Sequence, residues 1–158
     1  MKKFSVCLAI ILLVLFQPEK NYKRDYFASG VLKSEGWAES GRRTGYWKFY
    51  HPNGQLAARG AFEQNRKSGY WYFFGPEGNL EREGHYRGGK ASDWWIEYDA
   101  AGNPKHKCQL RSGEKNGYCL MYREGELQSA SQYRAGVFVK SWDDLASFKR
   151  DNRGKDLN

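Results

Sequence analysis

Between residues 46 and 122 the chain alternates in short bursts rather than in long runs. Tyr46–Tyr50, Tyr70–Phe74, Trp94–Tyr98 and Tyr118–Tyr122 are each rich in the aromatic and branched residues that suit a pleated strand, and none carries a helical spacing of apolar positions. Alternation sends Trp47, Phe49, Trp71, Phe73 and Trp95 to one face. Tyr46, Tyr50, Tyr70, Tyr72, Trp94, Tyr98, Tyr118 and Tyr122 go to the other. On the returning segments Leu56, Ala58, Gly60 and Phe62 share a face. The leucine column is the more apolar, so it is expected to lie with the tryptophans on the packed side, leaving the tyrosines on the wetter one.

These bursts recur with a fixed period. Gly30, Gly54, Gly78 and Gly102 are 24 residues apart, and Gly125 follows after 23; Trp47, Trp71, Trp95 and Cys119 keep the same step, as do Gly45, Gly69, Asp93 and Gly117. A period of this length marks a tandem array in which each unit is one supersecondary element. Each unit reads as two strands and two turns. His51-Pro52-Asn53-Gly54 and Gly75-Pro76-Glu77-Gly78 place proline and glycine where a hairpin with a bulge needs them. The second turn is expected over Asn65–Ser68, Gly89–Ser92 and Gly113–Asn116. One hairpin is marginal in water, so stability must come from the stacking of successive units.

The segments flanking the array behave differently. Lys2 and Lys3 precede an uncharged run from Phe4 to Phe16, thirteen residues that as a helix would reach about 20 Å against roughly 30 Å of bilayer hydrocarbon. That length suits a signal peptide, while the lack of a small-residue cleavage triplet leaves an uncleaved anchor open. The expected layout is therefore a signal or anchor over 1–17, a polar linker over 18–24, the repeat domain over 25–142, and a cap and tail over 143–158. Ser141, with Asp144 three positions on and then Leu145 and Phe148, resembles a helix start. The expected fold class is all-β: an elongated antiparallel hairpin array closed by a short C-terminal helix.

Composition narrows the function. The 158 residues carry 18 Gly, 6 Trp, 11 Tyr and 9 Phe, which fits many tight turns joining aromatic strands in about one domain. Only three His and three Cys are present. His51, His85 and His106 are not grouped by the pattern, and no nucleophile has a base at a repeat-independent position, so no catalytic residue, metal or cofactor is expected. The stretch from Gly84 to Ala91 has the look of a phosphate loop, but a strand rather than a helix follows it, and its glycines belong to the repeat columns. Glu81 and Glu83 read as a solvated strand face. Cys108 falls in the column of Gly36, Gly60 and Gly84, and Cys119 in the column of the tryptophans. They lie in neighbouring strands of one hairpin, where a disulfide forms if the register brings them opposite; otherwise they are two buried thiols.

The net charge is 26 − 18 = +8, and +6 without Lys2 and Lys3. A basic surface with interleaved aromatics attracts anionic partners. Export argues against nucleic acid and for an acidic protein or anionic lipid headgroups. Tyrosine, tryptophan and arginine dominate protein-binding hot spots, which selects Tyr46, Tyr50, Arg59, Tyr70, Tyr72, Trp94, Tyr98, Tyr118 and Tyr122 as candidate partner-binding residues.

Gly45-Tyr46-Trp47-Lys48-Phe49-Tyr50-His51-Pro52-Asn53-Gly54, with the related stretches Tyr86–Tyr98 and Leu110–Tyr122, resembles the bacterial variant of the MORN repeat. The resemblance implies an elongated hairpin array and, through relatives of the YwqK type described as antitoxin components, a protein partner that is a toxin or effector. Asp93 stands where the pattern has glycine and Cys119 where it has tryptophan, so the third and fourth units are expected to turn or pack differently. The combined expectation is an exported, non-enzymatic protein-binding module, periplasmic or membrane-anchored in the cell envelope. The alternative is an envelope structural or lipid-binding module.

Overall fold

The structure is a computed structural model and describes residues 19–153. The expected signal or anchor over 1–17 and the last residues of the tail lie outside them. No helix among the described residues is long and apolar enough to cross a membrane.

Eleven strands form one antiparallel sheet in which every strand pairs only with its neighbours in sequence. They are β1 (Lys20–Tyr26), β2 (Leu32–Glu39), β3 (Arg42–Tyr50), β4 (Leu56–Glu63), β5 (Arg66–Phe74), β6 (Leu80–Arg87), β7 (Lys90–Tyr98), β8 (Pro104–Arg111), β9 (Glu114–Arg123), β10 (Glu126–Arg134) and β11 (Val137–Trp142). Among the described residues one helix, α1 (Leu145–Asp151), follows. At the usual spacing of about 4.8 Å between strands, ten steps carry the sheet some 48 Å from its first edge to its last. The all-β hairpin array expected from the period is thus present, and it starts earlier than expected. Lys20–Tyr26 is paired with Leu32–Glu39, so most of the stretch read as a linker is the first edge strand. Its charges, Lys20, Lys23, Arg24 and Asp25, suit an edge that must not pair further.

Two kinds of connection alternate along β1–β9. The long loops run as expected: in His51–Gln55 the His51 amide donates to the Gln55 carbonyl at 2.8 Å and Gly54, at φ +86°, donates back to the His51 carbonyl at 2.9 Å. The short turns fall earlier than expected, at Gln64-Asn65, Gly88-Gly89 and Ser112-Gly113, each with positive φ at both residues. Two consecutive left-handed residues match the right-handed twist of the flanking strands. The glycine column at Gly45 and Gly69 sits instead in a bulge inside the following strand. Gly36 faces Trp47, yet Trp37 faces Thr44. Asp93 takes φ +59° in that column and its carboxylate meets Arg87 Nη2 at 3.0 Å, so the third unit keeps the bulge without glycine.

The tryptophan face packs on itself. Trp47, Trp71 and Trp95 lie flat over Gly36, Gly60 and Gly84, and a Cβ added to Gly84 would stand 2.5 Å from the Trp95 ring. Each indole N–H donates to the carbonyl beside the bulge, Trp37, Ala61 and His85 respectively, at 2.8, 3.0 and 3.1 Å. Phe49 and Phe73 bridge successive tryptophans with ring centroids 5.9–6.1 Å apart. Phe62 and Tyr86 stand edge-on between the same rings. Trp71, at the middle, is fully buried.

The leucine column does not join this side. A bulge between Phe49 and Tyr50 puts Leu56 opposite Tyr50, and the same irregularity puts Leu80 opposite Phe74. One extra residue reverses the side-chain alternation, so the leucines sit with the tyrosines. At the far end α1 starts one turn later than expected. Ser141 and Trp142 belong to β11. Asp144 is the cap, accepting from the Ser147 amide at 2.7 Å. Its seven residues are too few to hold a helix alone. Packing of Phe148 against Tyr118 and Trp142 fixes it.

Candidate binding surface

The tyrosine face is built from three columns per unit. One contains Tyr46, Tyr70, Trp94 and Tyr118; a second contains Tyr50, Phe74, Tyr98 and Tyr122; the third contains Glu35, Arg59, Glu83 and Lys107. The third column alternates in charge and sets what its neighbour does. Tyr50 donates its hydroxyl to Glu35 at 2.8 Å and Tyr98 donates to Glu83 at 2.6 Å. Where the column is basic, a cation covers a ring instead: Arg59 lies 4.8 Å over Tyr72 and 5.7 Å over Phe74, and Lys107 lies 4.6 Å over Trp94.

These contacts fix the rings and shift their chemistry. Burial, then the hydrogen bond to Glu35, pushes the Tyr50 phenol up to about 12, and burial with the charge of Glu83 does the same to Tyr70. Tyr98 is raised for the same reasons. Glu35 is held below the ordinary carboxylate range, chiefly by the Tyr50 hydroxyl. Tyr70 packs against Tyr72 at 5.1 Å and edge-on against His85 at 4.7 Å.

Eight of the nine residues selected from sequence remain accessible to some degree. Tyr46 is exposed; Tyr50, Arg59, Tyr70, Tyr72, Trp94, Tyr98 and Tyr122 are half-buried. Tyr118 is not accessible. It is 8% exposed, covered by α1 with Phe148 and Trp142 at its ring, and its hydroxyl donates to Asn152 at 2.5 Å. Trp94 and Tyr122 pack at the margin of the same cluster. Sequence reasoning missed Glu35 and Glu83 as ring anchors and Trp37, exposed at the same face and stacked edge-on with Tyr22 at 5.2 Å. The alternating Glu-Arg-Glu-Lys column, whose two glutamates stand 15 residues before the tyrosines they hold, was the available signal.

The opposite face carries cations in place of hydroxyls. Arg43 sits 4.8 Å over Trp47, Lys67 sits 4.5 Å over Trp71, and Arg82 lies 4.6 Å over Phe73. Burial pulls the Lys67 ammonium below its ordinary value. From Trp47 to Phe73 that aromatic ladder is already capped.

At the fourth unit the tryptophan-over-glycine pair is replaced by a disulfide between Cys108 and Cys119, Cα atoms 4.1 Å apart. The Ser112-Gly113 turn closes early, and the bulge at Gly117 and Tyr118 supplies the two residues that bring Cys119 opposite Cys108. His106 was read as isolated. It lies two residues before Cys108 on the same face, with Nε2 3.1 Å from Cys108 Sγ.

Residues 43–64 and 67–87 each match the MORN repeat variant. The chain carries two MORN-variant repeats. They cover β3–β6, starting at the Arg43 and Lys67 positions that cap the tryptophans. Repeats of this kind generally mediate protein or membrane binding and are not known as enzymes. No curated protein matches the chain.

Proposed function

We propose that this chain is an exported, non-enzymatic module that binds a protein through the tyrosine face of its first three units. The observation that carries this reading is α1. On the Tyr118 end of the face the chain seats a helix of its own, with Phe148 buried against an aromatic column. The same column continues through Trp94, Tyr70 and Tyr46 beyond the helix. Lys107 covers Trp94 and Glu83 reaches Tyr70, while Glu35 and Arg59 hold the neighbouring Tyr50 and Tyr72, so little freedom of these side chains is lost when a partner docks.

The basic balance of the chain favours an acidic partner surface and speeds encounter with it. In the finer form of the reading, which rests on the resemblance to antitoxin-type repeat proteins, the partner is a toxin or effector of the cell envelope that this chain neutralises. Phe4–Phe16 would take the chain there, as a cleaved signal or a retained anchor.

Affinity purification of the tagged chain with the product of a neighbouring gene tests this. The wild type is expected to retain the partner, and a Tyr70→Ala, Tyr72→Ala, Trp94→Ala variant to lose it. An unchanged partner profile in the folded variant would refute the reading. Flotation of residues 19–158 with anionic vesicles addresses the lipid alternative: salt-sensitive binding would favour a membrane surface over a protein.

A further inference from the structure

The capping column on the tryptophan face is broken at one place. Its positions are Arg43, Lys67, Ala91 and Lys115. Arg43 and Lys67 lie over Trp47 and Trp71, and Lys115 reaches Tyr133 at 4.7 Å. Ala91 is too short to cover Trp95. A groove of about 230 Å³ opens there, lined among others by Tyr86, Ala91, Glu97, His106 and Cys108. The groove therefore leads to the one place where the repeat exchanges its tryptophan–glycine pair for two cysteines.

The donor atoms of His106, Cys108 and Cys119 all lie within 4.8 Å of one another. Zinc held at about 2.3 Å from sulfur and about 2.0 Å from nitrogen needs its tetrahedral donors roughly 3.5–3.8 Å apart, so once the bond is cut the two sulfurs must part by about 1.7 Å and His106 Nε2 must draw back slightly from its 3.1 Å contact with Cys108 Sγ, all within a set already gathered inside 4.8 Å. Two thiolates and an imidazole are the soft donors that select zinc. Glu97 Oε2, 3.8 Å from His106 Nδ1, faces the nitrogen that would not bind metal.

We propose that His106, Cys108 and Cys119 form a redox-gated zinc site, closed while the disulfide stands and opened when a dithiol reduces it. In the first step the dithiol gives two electrons and two protons to the Cys108–Cys119 bond, leaving two thiols and an oxidised dithiol. In the second, zinc displaces both thiol protons and takes Cys108 Sγ, Cys119 Sγ and His106 Nε2, while the remaining ring proton resides on Nδ1 towards Glu97. The fourth position is left to water or to a ligand that enters through the groove. The site lies on the face opposite the tyrosines and is independent of the binding role proposed for them.

The test uses the full chain with Cys7→Ser, which leaves Cys108 and Cys119 as the only cysteines. Oxidised and dithiothreitol-reduced samples, freed of reductant under anaerobic conditions, are titrated with cobalt(II) and then zinc(II). The reduced chain is expected to bind one cobalt with intense visible d–d bands and a thiolate charge-transfer band, both lost when zinc displaces it. The oxidised chain is expected to show neither. His106→Ala should weaken cobalt binding by about a hundredfold or more, since loss of even an outer partner costs up to about that much. Near-ultraviolet circular dichroism checks that each sample stays folded. The proposal is overturned if the reduced chain binds no cobalt, if the oxidised chain binds it equally, if His106→Ala leaves affinity unchanged, or if reduction unfolds the chain and zinc does not restore it.

Discussion

Trp71 over Gly60 shows how much of this protein is decided by single positions. The indole lies where a Cβ would be, so the glycine is needed for the space it leaves. Gly60→Ala is expected to lower the unfolding free energy by about 1–3 kcal/mol, at the upper end because the clash is with a rigid ring rather than a flexible tip. Urea denaturation measures it, and an unchanged midpoint would contradict the packing. Trp71→Ala, which empties a fully buried site, should cost about 3–5 kcal/mol. The tyrosines make a pH-dependent prediction. Tyr50 is raised to about 12 in the folded chain against an ordinary 10.0, so the neutral phenol is favoured by folding. Its contribution is complete below pH 10 and is lost as pH rises towards 12. Glu35→Gln removes the charge that adds to burial and should bring the Tyr50 phenolate transition down in an ultraviolet absorbance titration. At this scale the tryptophan and glycine columns were legible, because an exact period exposes them. The role of Glu35 was not, because a carboxylate on a strand reads as solvated until the register places a hydroxyl beside it.

At the scale of elements, hairpins stack through their turns as well as their rings. Asn65, Gly89, Gly113 and Gly136 each donate a backbone N–H to the carbonyl of the capping column, at 2.8–3.0 Å, and His51 Nε2 meets the Phe74 carbonyl at 2.8 Å on the other edge. The two-residue turns were misplaced in sequence because Gln64 and Ser112 carry no turn signal of their own; they take left-handed φ because the strands on each side require it. The leucine column was assigned to the wrong face for a related reason. Alternation cannot see an extra residue, and each bulge reverses it. The helix was legible as a cap, but not as the lid of Tyr118. Phe148→Ala is expected to cost about 3–5 kcal/mol and to release α1 from the sheet. Tyr118→Phe, which deletes only the hydroxyl bonded to Asn152, should cost about 1 kcal/mol. A loss as large as that of Phe148→Ala would mean that the hydroxyl, and not the apolar contact, holds the helix.

For the whole molecule, stability is a sum of neighbouring contacts, and the two faces divide the work. The tryptophan face holds successive units together under its own cations, while the tyrosine face is fixed but open through three units and closed by α1 at the last. Reduction of the disulfide in the absence of zinc should cost about 2–3 kcal/mol, the chain-entropy value for so short a loop, and thermal melts with and without dithiol read it. Which partner docks was not legible in residues or in geometry, because a repeat array supplies a surface and its partner supplies the shape. Which side of the sheet receives it is the point on which the functional account turns. A photoreactive residue placed singly at Tyr46 or Tyr70 on one face, and at Phe73 or Arg82 on the other, puts that question to living cells. Adducts to one discrete protein from Tyr46 and Tyr70, and none from Phe73 and Arg82, are the predicted result; adducts from the tryptophan face alone would contradict it.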